Sequence, residues 1–159
     1  MPEIFNASFP GGTMTLKTFG KELRAVITGS GLRAMTKSVH LVERHVKQLM
    51  TESPRGGREY SVGRGRRRRT HKASAPGEPP AVLSGLLRSS IHSSASRSPG
   101  GDVEGVVYSQ VSKGKARAIS KYASLLELGT RLMEPRPAWV RALREKSQEI
   151  VDLFRKEGI

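Results

Sequence analysis

Cysteine is absent from the 159-residue chain. That excludes a disulfide scaffold, a thiolate zinc site and a cysteine nucleophile. Aspartate occurs only at Asp102 and Asp152, so no Asp-x-Asp pair or carboxylate cluster stands ready for magnesium. Aromatics make up 5%, with Trp139 the one tryptophan, and the core must therefore be mostly aliphatic. Trp139 itself is read as an anchor in a core or interface. Long hydrophobic runs are also missing. The longest uncharged stretch, 4–16, contains Pro10, Gly11 and Gly12 and is too short to span a bilayer. No basic segment followed by an apolar block opens the chain, so the acceptor-like triplet Asn6-Ala7-Ser8 carries no weight. A soluble, intracellular product is expected, with no membrane partner.

Catalytic signatures are missing too. His40, His45, His71 and His92 show no zinc-ligand spacing. His40 and His45 are five apart, which places them on different faces of a helix. There is no nucleophile elbow, no phosphate-binding Gly-Lys-Ser/Thr loop and no dinucleotide fingerprint. The serines around His92 lack a placed acid and read as surface loop. Neither an enzyme, nor a metal, nor a cofactor is expected.

Acidic charge is scarce: 28 Lys and Arg face 14 Asp and Glu, for a net charge of +14. The excess is concentrated. Residues 55–72 hold Arg55, Arg58, Arg64, Arg66, Arg67, Arg68, Arg69 and Lys72 against Glu59 alone, a net +7. Four consecutive arginines cannot enter a core. They need solvent, phosphate or acidic side chains of a partner, and the nucleic-acid reading and the solvated-loop reading weigh equally. A second basic cluster holds Lys113, Lys115, Arg117 and Lys121.

The length suits one domain, 1–159. Residues 1–15 lack periodicity and read as an extended arm. Residues 16–51 read as helical. A short helix is expected over 16–27, with Leu16, Phe19, Leu23 and Val26 on one side. A break at 29–31 follows, with Ser30 as N-cap. A strong helix is expected over 32–50, where Leu32, Met35, Val39, Val42, Val46 and Leu49 form one stripe opposite Arg33, Lys37, Arg44 and Lys47. Residues 52–82 read as a basic hairpin or loop followed by a Pro-rich segment, with strands at 59–62 and 66–72 joined around Gly63 and Gly65. In 83–136 the pattern predicts a short helix over 83–91, a small-residue loop over 93–101, a strand over 102–109 and an apolar helix or strand end over 122–128. Pro137 is placed at the first turn of a C-terminal helix over 137–157, with Val140, Leu143, Ser147, Ile150 and Phe154 on one face. Glu127, flanked by leucines, needs a partner if buried, and Arg131 and Arg136 are candidates.

Three segments stand out together. One is Ala73-Ser74-Ala75-Pro76-Gly77-Glu78-Pro79-Pro80, preceded by basic residues. The next is Ser84-Gly85-Leu86-Leu87-Arg88-Ser89-Ser90-Ile91. The third is Tyr122-Ala123-Ser124-Leu125-Leu126-Glu127-Leu128-Gly129-Thr130, followed by Met133 and Arg136-Pro137 before the last helix. In this order and spacing they resemble the neck or tail-completion family of long-tailed phages and prophages, the head–tail joining minor tail components. The likeness covers about the last 90 residues, and the N-terminal helix by position only. Leu83 stands where the family has Asp, and Leu128 where it has Phe, so the carboxylate that would cap the next helix is missing.

The resemblance implies an α+β subunit: a small twisted antiparallel sheet, a long N-terminal helix and a C-terminal helix, with a basic arm or hairpin. It implies a homo-oligomeric ring of six, assembled in the host cytoplasm and placed in the virion. Its neighbours would be head-closure or connector proteins and tail-terminator or tail-tube proteins. It assigns structural roles to Pro76, Gly77, Glu78, Gly85, Leu86, Tyr122, Glu127, Gly129, Thr130, Arg136 and Pro137. The arginine run would then face packaged double-stranded DNA without reading sequence, or acidic surfaces of neighbouring rings.

Overall fold

The computed structural model describes residues 13–17, 29–98, 102–110 and 116–158; the side chains of 13–17, 29, 67 and 116–121 lie outside the description. The fold is α+β. In chain order the elements are β1 (Thr13–Lys17), α1 (Gly29–Thr51), β2 (Glu59–Val62), β3 (Arg69–Lys72), α2 (Leu86–Ser89), β4 (Ile91–Arg97), β5 (Val103–Ser109), α3 (Ala116–Leu128) and α4 (Trp139–Lys156). Strands β1, β5 and β4 form an antiparallel sheet with β5 in the middle, and β2 and β3 form a separate antiparallel hairpin.

Alternation in β5 decides which way the sheet faces. Val103, Gly105, Val107 and Ser109 are buried, while Glu104, Val106 and Tyr108 are half-exposed. Register places Ile91, Ser93 and Ala95 of β4 on the buried face, and His92, Ser94 and Ser96 beside Tyr108 on the other. Helix α1 covers the buried face, and its stripe of Met35, Val39, Val42, Val46 and Met50 closes the core with Ile91, Val107 and Trp139. The approach is close at Gly105. A Cβ there would lie 2.5 Å from Val39 Cγ1 and 2.6 Å from Met35 Sδ.

Helix α4 lies antiparallel beside α1. Glu157 near its end takes Lys37 Nζ at 2.5 Å and Arg33 Nε at 3.2 Å, while Glu145 Oε2 meets His45 Nε2 at 2.6 Å. Trp139, Ala142, Leu143 and Ile150 are buried against this pair, with Phe154 partly so. Trp139 is thus a core anchor, 1% exposed.

Several expectations are corrected. Leu16 and Lys17 belong to β1, not to a helix; Thr13–Thr15 are extended as expected, and 1–12 and 18–28 lie outside the described residues. Pairing with β5 outweighs the weak three-four spacing there. Ser30 sits inside the first turn of α1, which begins at Gly29. The helix over 83–91 shrinks to α2, because Gly85 at φ 77 breaks the backbone before it and Ile91 already pairs with Ser109. The expected loop over 93–101 is strand β4 as far as Arg97, since cross-strand pairing with β5 overrides the poor strand preference of serine. Residues 66–68 belong to the hairpin turn, a single 3₁₀ turn over Gly65–Arg67, and the second strand begins at Arg69. Pro137 lies one residue before the N-cap, Ala138, and so ahead of the first turn of α4. Lys113 and Lys115 fall outside the described residues.

Candidate functional site

The basic run is carried away from the core on the β2–β3 hairpin. Arg58, Arg64, Arg66, Arg68, Arg69 and Lys72 are exposed, as is Arg55 just before it. The side chain of Arg67 is not described. No described ion pair involves any of these cations. Arg68 Nε donates to Ser61 Oγ, and Lys72 stands opposite Glu59 in the ladder. A two-stranded hairpin is only marginally stable by itself. This one has Tyr60 51% and Val62 36% exposed, so its order depends on its base.

The base is built from the motif residues. Glu78 Oε2 accepts from the Ala75 amide at 2.7 Å and the Gly56 amide at 2.9 Å. Those amides, with the Lys72 charge nearby, hold the Glu78 carboxyl below its ordinary range. Gly57 N–H donates to Ala73 O and Ala73 N–H to Arg58 O, extending the ladder downwards. Gly77 N–H reaches Pro135 O at 2.9 Å, Arg136 N–H reaches Leu126 O at 2.7 Å, and Arg136 Nε reaches Ser74 O at 3.2 Å. Ser53 Oγ donates to Pro79 O at 2.7 Å. Thus the turn at Pro76, Gly77 and Glu78, the end of α3, and the Arg136-Pro137 turn form one hub under the hairpin.

Glu127 ties α4 into that hub. Its Oε2 accepts from the amides of Ala138 at 2.8 Å and Trp139 at 3.2 Å, and its Oε1 from Val140 at 2.9 Å. These are orphan donors of a helix start whose own N-cap residue, Ala138, has no side-chain acceptor. Neither Arg131 nor Arg136 is the partner, and this corrects the arginine expectation. Burial pushes the Glu127 carboxyl up, and the Val140, Ala138 and Trp139 amides offset this only in part. Gly129 ends α3 at φ 75, where a Cβ would meet Met133 O at 2.8 Å. Thr130 and Met133 then form a tight bridge, which projects Leu132 at 95% exposure.

Gly85, Leu86 and Tyr122 lie elsewhere, along a groove beside the hub. It consists of two adjoining hollows of about 250 and 330 Å³ that share Pro80, Ala81, Leu83, Tyr122 and Leu126. Tyr60, Val62 and His71 of the hairpin wall one hollow, and Leu86 and Arg88 wall the other. Ser84 Oγ stands 3.4 Å from the Leu86 amide, a poor substitute for a capping carboxylate. Sequence reading did not find this groove. Its walls come from a loop, a hairpin and a helix, and no spacing links them.

A serine does meet a histidine, but not at His92. Ser93 Oγ lies 3.1 Å from His40 Nδ1 and donates to Glu43 Oε2 at 2.5 Å. In a catalytic triad the carboxylate holds the other ring nitrogen. Here it takes the serine itself, so the cluster clamps α1 onto β4. Among the described residues, no group of three His, Asp or Glu side chains converges on a metal-sized site, and no helix is long and apolar enough to cross a membrane.

Comparison of the chain with protein-family models, with curated proteins and with solved structures gives no match.

Proposed function

We propose that this chain is a structural subunit of a phage neck, a tail-completion or head–tail joining protein of the virion. It would form a ring of six between head-closure proteins and the tail tube, with its basic hairpin facing packaged DNA or the neighbouring rings. No catalysis and no cofactor belong to this role. The observation that carries the reading is the hairpin, which holds exposed arginines clear of the core with no ion-pair partner among the described residues. The motif order of the sequence adds to it, because the residues around Glu78, Glu127 and Arg136 meet in the hub under the hairpin. A ring channel lined in this way meets a row of phosphates and needs no base-reading side chains.

A second reading is a monomeric, sequence-independent nucleic-acid-binding protein. It is favoured by Tyr60, which is 51% exposed on the same hairpin face as His71 and Arg69 and free to stack on a base. Mass by light scattering, at low and high salt and with and without a short DNA duplex, separates the two. Ring-sized particles without DNA support the neck subunit. A monomer that shifts only with DNA supports the second reading. Its log–log salt slope would be about −6 if seven phosphates were neutralised.

A further inference from the structure

We propose that the apolar groove between the hairpin, the 79–87 segment and α3 receives an acidic, leucine-anchored segment of a different protein. The exposed apolar surface is not scattered. Of the eight large hydrophobic residues exposed among those described, five, Tyr60, Val62, Leu83, Leu86 and Tyr122, wall the two hollows, while Leu125, Leu128 and Leu132 lie outside them. Contiguous exposed apolar surface of this kind marks an interaction site. Two hollows in a row suit two anchors spaced a helical turn apart.

Charge selects the occupant. Among the described residues no carboxylate lines either hollow, whereas His71, Arg88 and Arg136 do. Arg69 stands opposite Val62 and so shares the groove-facing side of the hairpin with Tyr60 and His71. An incoming acidic segment would complement that rim and slide its apolar side chains between Leu83 and Tyr122. The hairpin of a second copy, with Arg64, Arg66, Arg67, Arg68 and Arg69, would bring like charge to this basic rim. A nucleic-acid strand could stack on Tyr60 and Tyr122, but it would set its phosphates against the aliphatic Pro80, Leu83 and Leu86. Arg64, Arg66 and Arg68 of the hairpin turn are not part of these walls, so this groove stands whether or not the hairpin meets DNA.

The probe is a fluorescent peptide of about 16 residues with leucines at helical spacing and glutamates between them, compared with the same peptide carrying lysines. Anisotropy with the full chain should show saturable binding of the acidic peptide, at least about tenfold tighter than the lysine peptide and weakened by salt. Leu83→Ser with Tyr122→Ser should weaken it by about tenfold or more. These residues are 57% and 53% exposed, so truncation opens no core cavity, and circular dichroism checks the fold. Arg88→Glu, also on an exposed side chain, should cause a similar loss. Changing Arg64, Arg66 and Arg68 to Glu should leave peptide binding within a factor of about three, since charges outside the groove walls act through screened fields. Equal binding of the two peptides overturns the proposal. So does self-association in sedimentation equilibrium that disappears with the Leu83→Ser, Tyr122→Ser pair, and so does competition by an oligothymidylate.

Discussion

Glu127 Oε1 lies 2.9 Å from the Val140 amide, thirteen residues further along the chain. The contact makes the end of α3 the cap of α4. A side chain usually caps the helix it precedes by one residue; here the acceptor comes from another element, so the cap also fixes how two helices meet. Glu127→Ala is expected to lower unfolding free energy by about 1–3 kcal/mol, the cost of leaving buried amides unpaired. Glu127→Gln, which retains one carbonyl oxygen, should lose less. Urea melts of the three proteins at neutral pH check this. Equal midpoints for wild type and Ala would show that the amides find other partners.

How much of this was legible in the sequence depends on the range of the interaction. The α1 stripe was readable because Met35, Val39, Val42 and Val46 repeat at the helical period and all become buried. The hairpin was readable because Gly63 and Gly65 interrupt a basic run between two extended pieces. Strand β4 was not. Its Ser-rich segment has poor strand preference, and its strand identity comes from pairing with β5. The sequence left open whether Glu127 is buried, and its donors were not visible there. Backbone amides carry no sequence signature, so arginines were the visible candidates. A Glu two residues before a helix-ending Gly, followed by a Pro-flanked helix start, is the local signal that was present.

Gly105 supplies a second test of packing. Its missing side chain lets Val39 and Met35 seat directly on the sheet, and a Cβ would sit within 2.6 Å of both. These obstacles are side-chain atoms of fully buried residues, so Val39 and Met35 must turn aside within the core or α1 must shift. Gly105→Ala should therefore destabilise by about 1–3 kcal/mol, as overpacked cores do. Val39→Ala alone should also destabilise, by loss of buried methyls. The double variant should be more stable than the sum of the two losses allows, because the new methyl fills part of the vacated space. Strict additivity in chemical denaturation would place Gly105 away from the α1 contact.

Glu43 and Glu127 should give stability–pH slopes of opposite sign. Burial alone would raise the Glu43 carboxyl. Hydrogen bonds from Lys47 and Ser93, with the Lys47 and His40 charges, outweigh it and bring it below 4.5. A carboxyl lowered on folding adds stability above its unfolded value, and that stability is lost as pH falls through the folded one. The advantage of wild type over Glu43→Gln should therefore be full at pH 6 and shrink below about pH 4.5. Glu127 is raised by burial beyond what its three amides offset. Its contribution is present below 4.5 and declines as pH rises through the raised folded value, so wild type should lose ground to Glu127→Gln over that window. Urea denaturation at half-unit steps of pH for the three proteins reads both slopes. Parallel curves for wild type and Glu43→Gln would mean that the clamp between α1 and β4 is screened by solvent. A wild-type advantage over Glu127→Gln that grows with pH would mean that the three amides, and not burial, set the state of that carboxyl.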